Sequence, residues 1–188
     1  MTEERFKPIP REEMTPGQVA TVEAVAAGPR AGSLRGPFKA LLRSPDLGNR
    51  LQHVGAYIRF GSSIPTALNE LAILLAGRKW NAQFEFYAHR QLGLAAGMRP
   101  EVADAIALGR RPDGMDGDEA LVWTFCTELL ETTQVSDETF AAAAGRFGEQ
   151  GVVDLVAALG YYSLVSMILN VDRVQLPPGE ELPLKPLG

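Results

Sequence analysis

Residues 69–89, NELAILLAGRKWNAQFEFYAH, decide the fold. Read back to residue 65, the first half is PTALNELAILLA, apolar on most of its circumference, as a central helix is. Gly77-Arg78-Lys79 reads as its stop, and a second helix over about 80–96 follows, closed by Gly97. So short a turn makes the two helices an antiparallel hairpin. Glu70 stands seven residues before Gly77 and Glu85 eight after it, which sets them at matching depths of about 10 and about 12 Å from the turn. Glu85 and His89 are four residues apart and share a helix face. A carboxylate inside an apolar helix has to pair, accept several hydrogen bonds or hold a proton. Glu70, Glu85 and His89 are therefore expected to converge on one pocket between helices, where each tunes the protonation of the others. Of the three, only His titrates near neutral pH unaided.

Helical patterns extend on both sides of the hairpin. Thr15-Pro16-Gly17-Gln18 offers an N-cap, a proline at the first helical position and a capping-box Gln, and Gly28-Pro29 closes that segment, whose apolar face uses Val19, Val22, Val25 and Ala26. Residues 30–36 read as loop, 37–43 as a short helix, and Ser44-Pro45 as a second cap. The helix it begins carries Leu47, Leu51, Val54, Tyr57 and Ile58 at three- and four-residue spacing and ends near Gly61. Beyond the hairpin, helices are expected over 100–108, 118–133, 137–147 with Ser136 as N-cap, and about 150–171. The last is so uniformly apolar that it belongs in the core or in a subunit interface. Strand alternation is absent, so the expected class is all-α, with about eight helices around a central antiparallel helical hairpin. An arm, 1–14, precedes the domain, 15–171, and a proline-rich tail, 172–188, follows it. Neither end is expected to be helical, and the tail is expected to pack on a neighbouring subunit if it is ordered.

Composition narrows the function classes. With 23 acidic and 18 basic residues, net charge -5 and no run of like charge, the chain lacks the clustered Lys and Arg that a nucleic-acid surface requires. A single cysteine, Cys126, provides neither an intrachain disulfide nor a Cys-based zinc site. The start, MTEERFKPIPREEMTPG, has no apolar leader, and uninterrupted apolar runs fall short of a membrane span. A cytoplasmic protein acting on small molecules, without nucleic acid or membrane, is expected. The glycines at 28, 32 and 36 follow a helix rather than a strand, which removes the dinucleotide context. With two histidines 36 positions apart and no HExxH, a metal site is not expected either.

The order Glu70, Ala82, Glu85, His89 resembles the active-site segment of the carboxymuconolactone decarboxylase-like, or AhpD-like, superfamily. In the alkylhydroperoxidase branch, cysteines occupy the two intermediate positions. Here they are Ala82 and Glu85, and the triplet Phe84-Glu85-Phe86 leading into His89 is similar to the branch lacking the CxxC cysteines. The segment SPDL at 44–47, SDETF at 136–140 and the apolar helix ending in Asn170 extend the likeness over roughly 35–175. The resemblance implies an AhpD-like helical domain, a homo-oligomer (trimer or hexamer), and a lyase of aromatic compound catabolism that needs no cofactor.

A dithiol peroxidase needs an attacking and a resolving thiol, and one cysteine cannot be both. The namesake decarboxylation needs less, because the unsaturated lactone itself accepts the electrons released with carbon dioxide. The protein then orients the carboxylate, stabilises the dienolate and delivers a proton to carbon. His89 is the expected proton donor, with Glu85 or Glu70 fixing its tautomer and raising its pKa. Two ionised glutamates would repel an anionic substrate, so a protonated Glu, a protonated His89, or a cation such as Arg59, Arg78 or Lys79 has to compensate. Arg59, Trp80 and Phe86 are the expected substrate-binding side chains. Two other readings fit the sequence: an alkylhydroperoxidase relative that has lost its redox cysteines, and a non-catalytic oligomeric scaffold or ligand-binding protein in which Glu70 and His89 hold the fold.

Overall fold

The structure, a computed structural model, describes residues 3–29 and 34–185. Residues 30–33 of the expected loop and 186–188 of the tail lie outside the described residues. Among those described there are eight α-helices and no strand: α1 (Pro16–Ala27), α2 (Phe38–Leu41), α3 (Pro45–Phe60), α4 (Thr66–Lys79), α5 (Gln83–Ala95), α6 (Pro100–Ala107), α7 (Gly117–Thr132) and α8 (Asp137–Asp172). A 3-10 turn, Arg11–Glu13, precedes α1. The protein is all-α.

α4 is the axis around which the others pack. Residues 68–78 are all buried, and α4 touches α5, α6, α7 and α8, so it has no solvent face on which to be amphipathic. Its stop is not the Gly77-Arg78-Lys79 signal. Gly77 is buried inside the helix, and the chain reverses at Asn81, whose φ of 49° lies in the left-handed region that Asn tolerates. The Asn81 N–H donates to Arg78 O at 3.0 Å and Ala82 N–H to Gly77 O at 2.9 Å, a Schellman closure that satisfies the end carbonyls. α5 consequently begins at Gln83, later than the sequence pattern suggests, and Glu85 falls in its first turn.

The hairpin halves approach closely where they carry the polar residues. A Cβ on Gly93 of α5 would stand 3.4 Å from Glu70 Cβ and 3.0 Å from the Met98 side chain, so a side chain there would push the two helices apart at the depth of Glu70.

α1 starts as read from sequence, with Thr15 accepting from Gln18 N–H in a full capping box. For α3 the buried side is a correction in part, since Ile58 of the expected stripe is in the core and Leu51 packs against it. Leu47, Val54 and Tyr57 are exposed, and the face turned inward holds Gly48, Gln52, Gly55 and Ile58. Close approach to α2 selects it: a Cβ on Gly48 would lie 3.0 Å from Leu41 O, and small residues, not large ones, admit a neighbouring backbone at that distance.

α8 combines the two final helices expected from sequence. Gly148, at φ 73° and ψ 170°, interrupts it between them, a conformation that costs glycine little. By length and composition α8 is apolar enough to cross a membrane, contrary to the reading from uninterrupted runs, but 56% of its apolar window is buried within the protein. It packs on α3, α4, α5 and α7. Asp154 is the exception in its sequence and is anchored: it accepts from Ser63 N–H at 2.7 Å, Ser63 Oγ at 2.8 Å and Tyr57 Oη at 3.0 Å.

Both ends pack on their own chain. The arm runs along the end of α8, where Arg5 N–H donates to Asp172 O at 2.9 Å and Phe6 N–H to Asp172 Oδ1 at 2.7 Å. The tail does not need a neighbouring subunit: Leu184 is 2% exposed, its N–H donates to Gln83 Oε1 and its carbonyl accepts from Gln83 Nε2, and Arg78 Nη1 donates to Lys185 O.

Candidate functional site

Glu70, from the middle of α4, and Glu85 and His89, one turn apart on α5, meet as the sequence pattern predicts. His89 Nδ1 is 2.6 Å from Glu70 Oε2, and His89 Nε2 is 3.2 Å from Glu85 Oε1. The first is a short charge-assisted hydrogen bond. The second has the distance but not the alignment of one, and Glu85 Oε1 is left buried without a hydrogen-bond partner. All three residues are buried, with His89 the most accessible at 7%.

Burial by itself disfavours an imidazolium here. The charges of Glu85 and Glu70 on either side outweigh it, and the His89 pKa is raised to about 9. A pKa raised this far favours the protonated ring at neutral pH.

The cluster forms part of the wall of a cavity of about 770 Å³, a size suited to a small organic molecule. Glu85 and His89 line it and Glu70 does not, which corrects the expectation that all three share the pocket; Glu70 lies behind His89, where it holds the ring. Tyr161, Tyr162 and Val165 of α8, with Phe84 and Leu92 of α5, also line it. Tyr162 meets the His89 ring edge to face, centroids 4.7 Å apart at 73°, and Tyr161 meets Tyr162 at 5.2 Å and 85°. Glu4 of the arm and residues 174–178 after α8 complete the rim, so the docked ends are part of the site.

Three of the cavity residues are cations, Arg35, Lys39 and Arg59. Lys39 pairs with Glu4 and lies 3.7 Å from Asp172. Arg59 has no carboxylate partner among the described residues; its guanidinium stacks on Phe60 at 4.9 Å, and its charge reaches Tyr162. Of the three cations expected to offset the glutamates, only Arg59 is in the cavity. Arg78 is directed to Asn81 and Lys185, and Lys79 is exposed at the end of α4.

The other two expected substrate contacts are corrected. Phe86 is 0% exposed in the main core, because α5 turns it toward α4 rather than toward the cavity. Trp80 is 40% exposed at the reversal after α4, and its carbonyl accepts from Asn170 Nδ2 at 2.7 Å, a clamp between hairpin and α8. A tyrosine pair inside an apolar run suits core and pocket wall alike, and Tyr161 and Tyr162 both line the cavity.

His53 is exposed on α3, away from the cluster. Cys126 is fully buried, and burial pushes its thiol well above the usual range, so it is a core side chain with no nucleophilic role. No group of three His, Cys, Asp or Glu side chains suited to a metal ion occurs among the described residues. No protein-family model matches the chain, and no curated protein matches it.

Proposed function

We propose that this chain is a carboxymuconolactone decarboxylase-like protein of the AhpD-like superfamily, in the branch without redox cysteines, and that it acts as a cofactor-free lyase on a small carboxylated lactone or keto acid. The observation that carries the reading is the placement of His89 between Glu70 and Glu85 in the wall of a cavity that also contains Arg59. A group with a pKa of about 9 is loaded with its proton at neutral pH and suited to giving it up rather than abstracting one.

In the proposed reaction Arg59 attracts the anionic substrate. The bond from ring carbon to carboxylate breaks, carbon dioxide leaves, and the bonding electron pair passes through the conjugated system to the carbonyl oxygen as a dienolate. His89 then delivers its proton to carbon and is reprotonated from solvent. Glu70 keeps the ring oriented from behind, and Glu85 offsets its charge on the cavity side.

The buried Glu70–His89 pair also favours a second reading, a non-catalytic ligand-binding scaffold, because a structural ion pair has the same geometry. Carbon dioxide release from carboxylated muconolactones separates the two. Turnover by the wild-type chain, lost in His89→Gln with the fold retained, supports the lyase. Absence of turnover across such substrates, with His89→Gln lowering only the melting temperature, supports the scaffold.

We also propose that the protein self-associates. Val153, Val156 and Val171 of α8 and Leu47, Val54 and Phe60 of α3 are large apolar side chains left exposed, the kind of surface that obligate subunit contacts cover. A trimer or hexamer is the expected form.

A further inference from the structure

A dienolate needs a hydrogen-bond donor at the oxygen where charge collects, and the residues assigned so far leave that place unfilled. Both nitrogens of His89 are turned to carboxylates, and its proton is the one spent on carbon. Arg59 is occupied with the substrate's carboxylate.

Tyr162 has the properties the place requires. It is 2% exposed yet lines the cavity, and its ring is fixed between His89 and Tyr161. Buried phenols ordinarily find a hydrogen-bond partner, but none of the hydrogen bonds among the described residues engages the Tyr162 hydroxyl. The phenol also keeps its proton: burial, with the charges of Glu85 and Glu70, raises its pKa well above 10 against the opposing pull of Arg59. It remains a neutral donor throughout the range in which His89 is charged.

We propose that Tyr162 is a catalytic residue of this site, its hydroxyl donating a hydrogen bond to the substrate oxygen that becomes negative as carbon dioxide leaves. The substrate class narrows accordingly to carboxylated compounds with a carbonyl conjugated to the bond that breaks, lactone or open-chain enone. This assignment rests on the acid/base reading of Glu70, Glu85 and His89.

The test uses 4-nitrophenol as an oxyanion probe, because its absorbance distinguishes phenolate from phenol. The full wild-type chain is expected to bind it with a larger ionised fraction than in free solution at the same pH. Tyr162→Phe keeps the ring on His89, and it should weaken binding by about tenfold or more, the loss of one hydrogen bond to a charged oxygen. Equal affinity in wild type and Tyr162→Phe overturns the proposal. Should the variant not fold, 4-nitroanisole, which has no ionisable oxygen, serves against the wild type: binding about tenfold weaker than 4-nitrophenol supports the assignment, and equal binding overturns it. The two readings fail separately. Lactone turnover that is unchanged in Tyr162→Phe overturns the phenol's role alone, whereas Tyr162-dependent phenolate binding without any turnover overturns the lyase and leaves the oxyanion donor in place.

Discussion

His89 Nδ1 and Glu70 Oε2 stand 2.6 Å apart across the two central helices, nineteen positions distant in the chain. This contact couples the helical hairpin to the protonation of the cavity wall, so fold stability and site chemistry share one proton. Breaking a buried pair of this kind on one side costs about 3–5 kcal/mol.

Stability should decline in mildly alkaline solution. His89 has a folded pKa of about 9 against the ordinary 6.5, so the stabilisation it contributes is complete below pH 6.5 and disappears as pH rises through 9. Its size is on the order of 3 kcal/mol. Thermal melts from pH 6 to 10 should show this fall in the wild type and a flatter profile in His89→Gln; parallel profiles would remove His89 as the cause.

Under the proposed lyase reading, Glu70→Gln is expected to act on rate through His89. The amide can still accept from Nδ1–H, but one of the two charges holding the imidazolium is gone, so the alkaline limb of the pH–rate profile should move to lower pH. A merely structural role for Glu70 predicts lower stability with that limb in place.

Asp154→Ala tests the anchor between the α3–α4 connection and α8. It removes the acceptor for Ser63 N–H, Ser63 Oγ and Tyr57 Oη, and a loss of about 3 kcal/mol is expected in chemical denaturation. Burial alone raises the carboxyl pKa, but the bonds from Ser63, Tyr57 and Ser62 prevail and lower it. The stabilisation is therefore present above the ordinary carboxyl range and is lost as pH falls through the lowered value. Asp154→Ala should accordingly be less sensitive to acid than the wild type.

The exposed apolar positions on α3 and α8 predict an assembly that a charge disrupts. Val153 is 64% exposed, so Val153→Glu should leave the melting curve of the protomer nearly unchanged while lowering the mass measured by light scattering. A wild-type monomer would argue against self-association altogether.

The hairpin and its three polar residues were legible because helical spacing and turn length fix depth and face together. Other readings failed where large side chains stood in for geometry. Leu47, Leu51, Val54, Tyr57 and Ile58 have the spacing of a core stripe, yet backbone approach at Gly48 rotates α3 so that only Ile58 and Leu51 of that stripe turn inward. Trp80 and Phe86 are expected from sequence to contact substrate, whereas the Asn81 reversal sets the rotation of α5 and sends Phe86 to the core. Gly77 read as a stop because glycine often is one, but a buried helix also uses glycine for contact with the helix that returns beside it. Tyr162 has no local signal, since the side of α8 that faces the cavity is chosen by the packing of α4 and α5.

The most direct test of the central claim is an NMR titration of the imidazole nitrogens, in a chain whose two histidines, His53 and His89, give a simple spectrum. For His89, two protonated ring nitrogens are expected from pH 6 to 8, with loss of one proton near pH 9. A ring already neutral at pH 7, with a single protonated nitrogen, would contradict the imidazolium between Glu70 and Glu85 and the proton donor built on it.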